Sequence, residues 1–414
     1  MLSDLFFYTK PLLYAAPQKD ADTISSKVAW NKVENVVMGS IGIPASGEKL
    51  LKMGFSIRQI HQVSGLSRPE TRSLIAQSGK GRIFAVTPTS LLANAPNYLS
   101  IPTYEGSGEG THPSVIDFKT EYNLDQWNGF RYWMAFTPYP KGNSNYENPS
   151  LAASNDGQTW VVPPGITNPL ENTPNHILTS KYRNYNSDPE LLYDPDTRSL
   201  NLYWRECLLN YYDRIWRIKI EPDLKFGLKE LCLEERGLDG EGLALSPAIW
   251  RKSKNEWYMW TTNGYSLIHL YMSRDGMNWS KRQRCNTPWY TWNGGYTPWH
   301  IAAKPNYQEH RVEFFINGWS NHALHRNQLL FYAEVSMDDP IHFQMPLANA
   351  VLTKGFINNW DDEMIYRTTF TVERGLSSYM YRVWYSAESK TISWHIGYTE
   401  GKLGTKFTPN KNKQ

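Results

Sequence analysis

The sequence predicts a mostly β protein, a five-bladed β-propeller preceded by a partly helical N-terminal extension. Three observations predict it. A pattern of one hydrophobic strand, a turn and a second, aromatic strand recurs five times after residue 105. These strands are rich in Trp, Tyr, Val and Ile and are separated by Gly, Asn and Asp turns. No long helical periodicity interrupts them, and 16 of the 17 Trp residues lie beyond residue 100.

Taken in chain order, residues 1–104 form the extension and 105–414 the propeller. The extension holds 11 Lys and Arg against 6 Asp and Glu, a balance of +5, whereas the remainder holds 32 against 34, or −2. Within it, "GFSIRQIHQVSGLSRPETRSLIAQ" at 54–77 reads as two helices joined at Gly65. Ser67 and Glu70 have capping-box spacing, and Pro69 falls in the first turn, where it is tolerated. The segment resembles the helix-turn-helix of recombinases and bacterial regulators. Arg58, Arg68 and Arg72 would suit DNA, but so short a match also fits a helical docking module. Residues 86–103 read as an extended arm, and the Gly-rich run "YEGSGEGTHP" at 104–113 marks the boundary.

The blades follow. The first opens with "HPSVIDF" at 112 and continues "RYWMAFTP"; the second opens with "DPELLYD" and continues "LNLYWRE". The third reads "SPAIWRK" then "EWYMWTTNG", the fourth "TPWHIAAKP" then "RVEFFINGW", and the fifth "MIYRTTFTV" then "YMYRVWYSA". Each is followed by a further strand candidate, and the units start roughly 50 to 75 residues apart, a blade-sized period. Closing such sheets into a ring leaves only short, protected edges. Two hairpins, "SNDGQTW" and "SRDGMNW", share the pattern S-x-D-G-x-x-W. In them an Asp side chain can bond the amides of its own turn while Gly supplies positive φ.

This architecture nominates a site. The innermost strand of each blade lines the central channel, so residues at its start gather around one mouth. A Pro just after such a residue is tolerated where a strand begins. The candidates are therefore His112, Asp188 and Ser246, each before Pro, with His300 or Thr297 from the fourth blade, whose register is open by a residue or two, and Tyr366 and Arg367 from the fifth. Trp360 and Asp361 in "NNWDDE", Tyr185 in "KYRNYN", Arg205 in "LNLYWRE", and Trp292 and Trp299 in "TPWYTWNGGYTPWH" complete a sugar-binding set. Aromatic faces suit sugar C–H patches, and polar side chains suit hydroxyls.

Residues 105–400 resemble the five-bladed propellers of arabinanase, xylosidase and invertase-type glycoside hydrolases. "DPEL" opening an inner strand, the five repeats and the two hairpins, similar to the Asp-boxes of sialidase-like propellers, carry the resemblance. In arabinanase-like members a blade-one Asp is the general base, a blade-two Asp tunes its pKa and a blade-three Glu is the acid. The resemblance implies the second role for Asp188. His112 and Ser246 occupy the other two places, so hydrolysis, which needs two carboxyl groups, would require a rebuilt set. His112 as base, Asp188, and the loop acid Glu241 before the third blade could form one.

Three functions follow from this reading. The first is a glycan-recognising propeller on a glycosidase-like scaffold, such as an adhesin or receptor-binding component of a phage virion, attached to its assembly through the N-terminal region. The second is an active glycoside hydrolase with the rebuilt set. The third is a DNA-linked protein using the 54–77 segment. The net charge of +3 argues against a nucleic-acid partner. There is no apolar run of 18 residues to span a membrane, and the N-terminal stretch makes a poor secretory signal. A place in a virion, or export by a route without a signal, fits best. Three scattered cysteines read as buried small side chains. No cofactor is required by the sequence; His112 and His300 could reach an ion in the channel through water, although no ligand spacing calls for one.

Overall fold

The computed structural model describes residues 91–172, 184–208, 212–236, 244–263, 267–287, 296–320, 328–347, 350–375 and 379–403. The chain divides into two units, Met1–Thr89 and Ser90–Gln414, and the described residues belong to the second. The helix-turn-helix-like segment, Glu241 and Trp292 lie outside them.

The second unit is the expected five-bladed propeller. Blade one comprises β1 (Gly110–Asp117), β2 (Tyr132–Pro138) and β3 (Ser150–Ser154). Blade two comprises β4 (Tyr185–Asp194), β5 (Ser199–Leu208), β6 (Tyr212–Ile220) and β7 (Glu230–Arg236). Blade three comprises β8 (Leu245–Ser253), β9 (Glu256–Thr262), β10 (Ile268–Ser273) and β11 (Gln283–Arg284). Blade four comprises β12 (Tyr296–Asn306), β13 (Arg311–Ser320), β14 (Gln328–Ser336) and β15 (Asp339–Gln344). Blade five comprises β16 (Met364–Arg374), β17 (Tyr379–Glu388) and β18 (Trp394–Gly401). Each sheet is an antiparallel meander, and its first strand touches the first strands of both neighbouring blades, which closes the ring.

Side-chain alternation explains why the strands read as continuous hydrophobic runs. Successive residues of a strand point to opposite faces, and in a ring both faces meet a neighbouring blade. In β9, Trp257 and Met259 pack toward blade two, while Tyr258 and Trp260 pack toward blade four. The same division generates a hydrophobic cluster at each of the five blade junctions. Trp133, Trp204, Trp260 and Trp384 are fully buried there, each worth roughly 1.5–3 kcal/mol or more of burial.

The two S-x-D-G-x-x-W turns fasten junctions. Asp156 Oδ1 accepts the amides of Gln158 and Thr159 at 2.8 and 2.6 Å, and Asp275 Oδ1 those of Met277 and Asn278, both at 2.8 Å. The turn glycines present their carbonyls to the adjacent blade: Trp384 Nε1 donates to Gly157 O at 2.7 Å and Tyr203 Oη to Gly276 O at 3.0 Å. Residues 91–103, the described part of the arm expected over 86–103, lie against blades four and five. Leu92 N donates to Val351 O and Leu99 N to Ile396 O.

Candidate active site

The inner strands are not regular where they approach the site. Each of β1, β4, β8, β12 and β16 breaks register with its partner at the same level, at 111–114, 187–190, 245–248, 298–300 and 365–368. A bulge leaves residues unpaired and re-aims a side chain. The unpaired residues are His112–Pro113, Asp188–Pro189, Ser246–Pro247, Trp299 and Tyr366–Arg367. His112, Asp188 and Ser246 adopt φ of 55, 50 and 53°, a left-handed conformation that costs a non-glycine residue about 1–2 kcal/mol. The backbone thus gives up strand geometry at the residues singled out by the X-Pro pattern, and neighbouring strands hold the strained conformation in place.

The bulges deliver a compact cluster centred on Asp188. His300 Nδ1 lies 3.1 Å and His112 Nε2 3.6 Å from Asp188 Oδ1. Arg367 Nη1 lies 3.5 Å from the same oxygen, and Arg205 Nη1 lies 3.8 Å from Asp188 Oδ2. Ser187 Oγ donates to Asp188 Oδ2 at 3.1 Å. Four blades therefore meet at one buried carboxylate. Burial holds the His112 imidazole well below its usual range and lowers that of His300, so both rings are neutral. Burial opposes ionisation of Asp188, yet the imidazoles of His112 and His300, once protonated, and the Arg367 guanidinium hold its carboxyl well below the usual carboxylate range.

One anion, two neutral imidazoles and a shared buried space form a group that could hold a metal ion. A donor atom from each of His112, Asp188 and His300 lies within 4.8 Å of the other two. His112 Nδ1 is hydrogen-bonded to Thr137 Oγ1 at 2.8 Å; with Nδ1–H donating, Nε2 turns its lone pair toward Asp188, the outer support that ligating histidines commonly have. The ring nitrogens of His300 are buried and make no hydrogen bond of good geometry, which is costly unless another partner takes them. Two His and one carboxylate suit zinc or another first-row divalent ion with open positions.

Beneath this layer lies a second. Arg367 Nη2 donates to Glu190 Oε2 at 3.0 Å and to Pro247 O at 3.4 Å, and Ser114 Oγ donates to Glu190 Oε2 at 3.0 Å. Arg205 is anchored from behind, its Nε 2.8 Å from Asp213 Oδ1. Above it stand aromatic rings. Tyr366 meets His300 edge-on at 4.3 Å between centroids and lies 5.3 Å from His112. Trp299 Nε1 donates to Tyr366 Oη at 3.3 Å.

Of the residues nominated from the sequence, His112, Asp188, His300, Arg205, Tyr366, Arg367 and Trp299 come together here. Tyr185 borders the group, its hydroxyl accepting from Arg205 Nη1 at 3.4 Å. Ser246 turns to the backbone of blade four, donating to Ile301 O at 3.4 Å and accepting from Ile301 N at 3.3 Å. Trp360 and Asp361 face elsewhere: Trp360 Nε1 donates to Ala95 O, and Asp361 accepts from Asn94 and Tyr385. They pin residues 94–95 to blade five, because the loop turns its side chains away from the channel.

Sequence reasoning passed over Glu190, Glu147, Thr137 and Trp319. Glu190 is the third letter of "DPEL", so its signal was present. Glu147 comes from the β2–β3 connection and places Oε1 4.0 Å from His112 Nδ1; nothing in "YENPS" marks it beyond a neighbouring Pro.

No protein-family model matches the chain. Over 383 residues it is 28% identical to the A type blood N-acetyl-α-D-galactosamine deacetylase of Flavonifractor plautii, covering 76% of this chain and 48% of that protein. The chain thus spans about half the length of that relative. A solved structure of an N-acetylgalactosamine deacetylase from F. plautii, in complex with blood group B trisaccharide, superposes with a TM-score of 0.64 at 22% identity, covering 76% of this chain and 96% of that one. It has the same fold. An exo-1,5-α-L-arabinanase from a bovine ruminal metagenomic library aligns at a TM-score of 0.44 and 10% identity, over 71% of this chain and 92% of that one.

Proposed function

We propose that this propeller is a metal-assisted amide hydrolase that removes the N-acetyl group from an amino sugar at the end of a glycan. The observation that carries the reading is the His112–Asp188–His300 cluster. It is a ligand set rather than the carboxylate pair that glycoside cleavage needs. The likeness to a deacetylase of N-acetylgalactosamine supplies the substrate class.

In this reading the three residues hold a divalent cation, which when bound supplies Lewis acidity toward the amide carbonyl and toward water. Tyr366 stabilises the developing oxyanion. Burial pushes its phenol well above the usual range, so it keeps its proton. Its oxygen already accepts from Trp299 Nε1, which leaves the O–H to donate to the substrate. Glu147 takes the proton lost by water and returns it to the amine nitrogen as the C–N bond breaks. Acetate and a free amino sugar leave, and charge and atoms balance. Arg205 and Arg367 keep Asp188 ionised and fixed in direction.

Binding without turnover, as in an adhesin or a phage receptor-binding component, would use the same mouth. Binding alone does not call for two buried neutral imidazoles against a carboxylate, and hydrolysis accounts for them better. The deciding experiment incubates the full chain with blood group A trisaccharide, with and without added Zn²⁺, and follows the products. Metal-dependent release of acetate is expected. Release of free N-acetylgalactosamine would mean glycoside hydrolysis instead, and an unchanged trisaccharide that nonetheless binds would return the chain to the adhesin class.

A further inference from the structure

Most large aromatic side chains of the propeller are absorbed by the blade junctions, but among the described residues three tryptophans join none of the five clusters, and of these only Trp394 is buried, packed against Tyr139 and Tyr366. The other two, Trp299 and Trp319, are half-buried. They pack on one another, with ring centroids 4.9 Å apart and planes inclined at 54°. Backbone architecture holds both. Trp299 is the bulged residue of β12, and its carbonyl accepts from Thr262 Oγ1 at 2.6 Å. Trp319 stands opposite Thr297 at the site end of β13, its carbonyl accepting from Thr297 Oγ1 at 3.3 Å.

Their position relative to the cluster is fixed by a chain of contacts. Asp188 meets His300 at 3.1 Å, His300 meets Tyr366 at 4.3 Å, and Tyr366 holds Trp299 through the indole N–H. Trp319 is the next step outward. Aromatic faces left partly open beside a polar centre are the usual means of holding a pyranose ring, with one apolar surface and a wet edge. Trp299 lies close enough to the cluster to sit beside the sugar that reacts. Trp319 is linked to Tyr366 through the Trp299 ring.

We infer that Trp319, supported by Trp299, is the platform for the second sugar of the chain, which selects oligosaccharides over the single amino sugar. This rests on the amino-sugar reading for its choice of ligand, but its test does not depend on turnover. The probes are galactosamine and the trisaccharide left when blood group A trisaccharide loses its acetyl group, neither of which has an N-acetyl group to cleave. Calorimetric titration of the full chain is expected to show the trisaccharide binding roughly tenfold tighter than the monosaccharide, the scale of one good aromatic contact. Trp319→Ala should remove that advantage and leave the monosaccharide affinity within about twofold, while Trp319→Phe should restore most of it. Thermal unfolding of both variants controls for folding.

An advantage that survives Trp319→Ala, or a monosaccharide affinity that falls equally, would overturn the platform, as would a native protein that fails to distinguish the two sugars. Intact discrimination in a protein that releases no acetate would leave the platform standing and remove the hydrolase reading alone.

Discussion

Asp188 Oδ1 stands 3.1 Å from His300 Nδ1, although 112 residues of chain separate them and they belong to different blades. The contact exists because two bulges, one in β4 and one in β12, aim both side chains at the axis. If these groups are ligands, Asp188→Asn removes the only anion of the set while keeping its shape. Zn²⁺ affinity, measured by calorimetry, should fall at least about a hundredfold, more than the loss usual for an outer-shell change. The midpoint of urea unfolding should move little by comparison. Full retention of stoichiometric Zn²⁺ would show that the cluster is not a metal centre.

That relationship also shows what the sequence could and could not disclose. The five-fold repetition and the X-Pro openings of three inner strands were visible, and they are enough to imply convergence on one mouth. The bulges were not visible, since a residue's face in a strand depends on a register that no local pattern sets. Hence Ser246, which shares φ and the following Pro with His112 and Asp188, turns instead to Ile301. Trp360 and Asp361 failed to reach the site for a related reason: a loop residue's direction follows its hydrogen bonds, here to residues 94–95 and Tyr385. The X-Pro pattern marks the residue before Pro, whereas Glu190, the one after it, enters the layer below.

In that lower layer Arg367 and Glu190 are buried together, joined at 3.0 Å. Removing one partner strands the other. Arg367→Met should cost about 3–5 kcal/mol in urea unfolding, the usual scale for an orphaned buried charge. Combining it with Glu190→Gln should recover at least about 1 kcal/mol of that loss relative to additivity. Strict additivity of the two changes would mean that the pair contributes nothing as a pair.

Asp213 makes stability depend on pH with a definite sign. Burial pushes its carboxyl from 3.8 up to about 6, against the pull of Arg205. The folded state therefore keeps a proton that the unfolded chain has lost, and its share of stability declines as pH rises from about 4 to about 6. At about 1.4 kcal/mol per unit, the decline is of order 3 kcal/mol. Asp213→Asn is expected to lower stability overall by unpairing Arg205, but to flatten this part of the profile. Urea unfolding of both proteins at intervals from pH 4 to 7, compared as a difference, isolates it. Parallel curves would exclude the effect.

Gly276 and Gly129 separate two costs of adding a methyl group. Both have positive φ, 71 and 81°. A Cβ at Gly129 meets open space, whereas at Gly276 it would lie 2.8 Å from Tyr203 Oη and 3.0 Å from the Trp257 ring. Gly129→Ala should cost about 1 kcal/mol for the backbone alone. Gly276→Ala should cost about 1–3 kcal/mol more through overpacking, with the Tyr203–Gly276 bond between blades two and three weakened. Equal shifts in melting temperature would show that the junction yields freely.

Glu147 offers the sharpest division between chemistry and support. Its carboxylate is buried 4.0 Å from His112 Nδ1, a place from which it could either carry the proton of the reaction or simply orient the imidazole. The two roles differ in what Glu147→Gln changes. A proton carrier replaced by an amide should lower kcat by about 100- to 10,000-fold, with Zn²⁺ affinity and KM for the trisaccharide nearly unchanged. An orienting group should instead lose metal affinity by about 10- to 100-fold and recover activity when Zn²⁺ is raised. Because Thr137 Oγ1 already holds His112 Nδ1 at 2.8 Å, the imidazole does not depend on Glu147 for its direction. The first outcome is therefore the one expected, and restoration of turnover by excess Zn²⁺ would transfer Glu147 from the reaction to its scaffold.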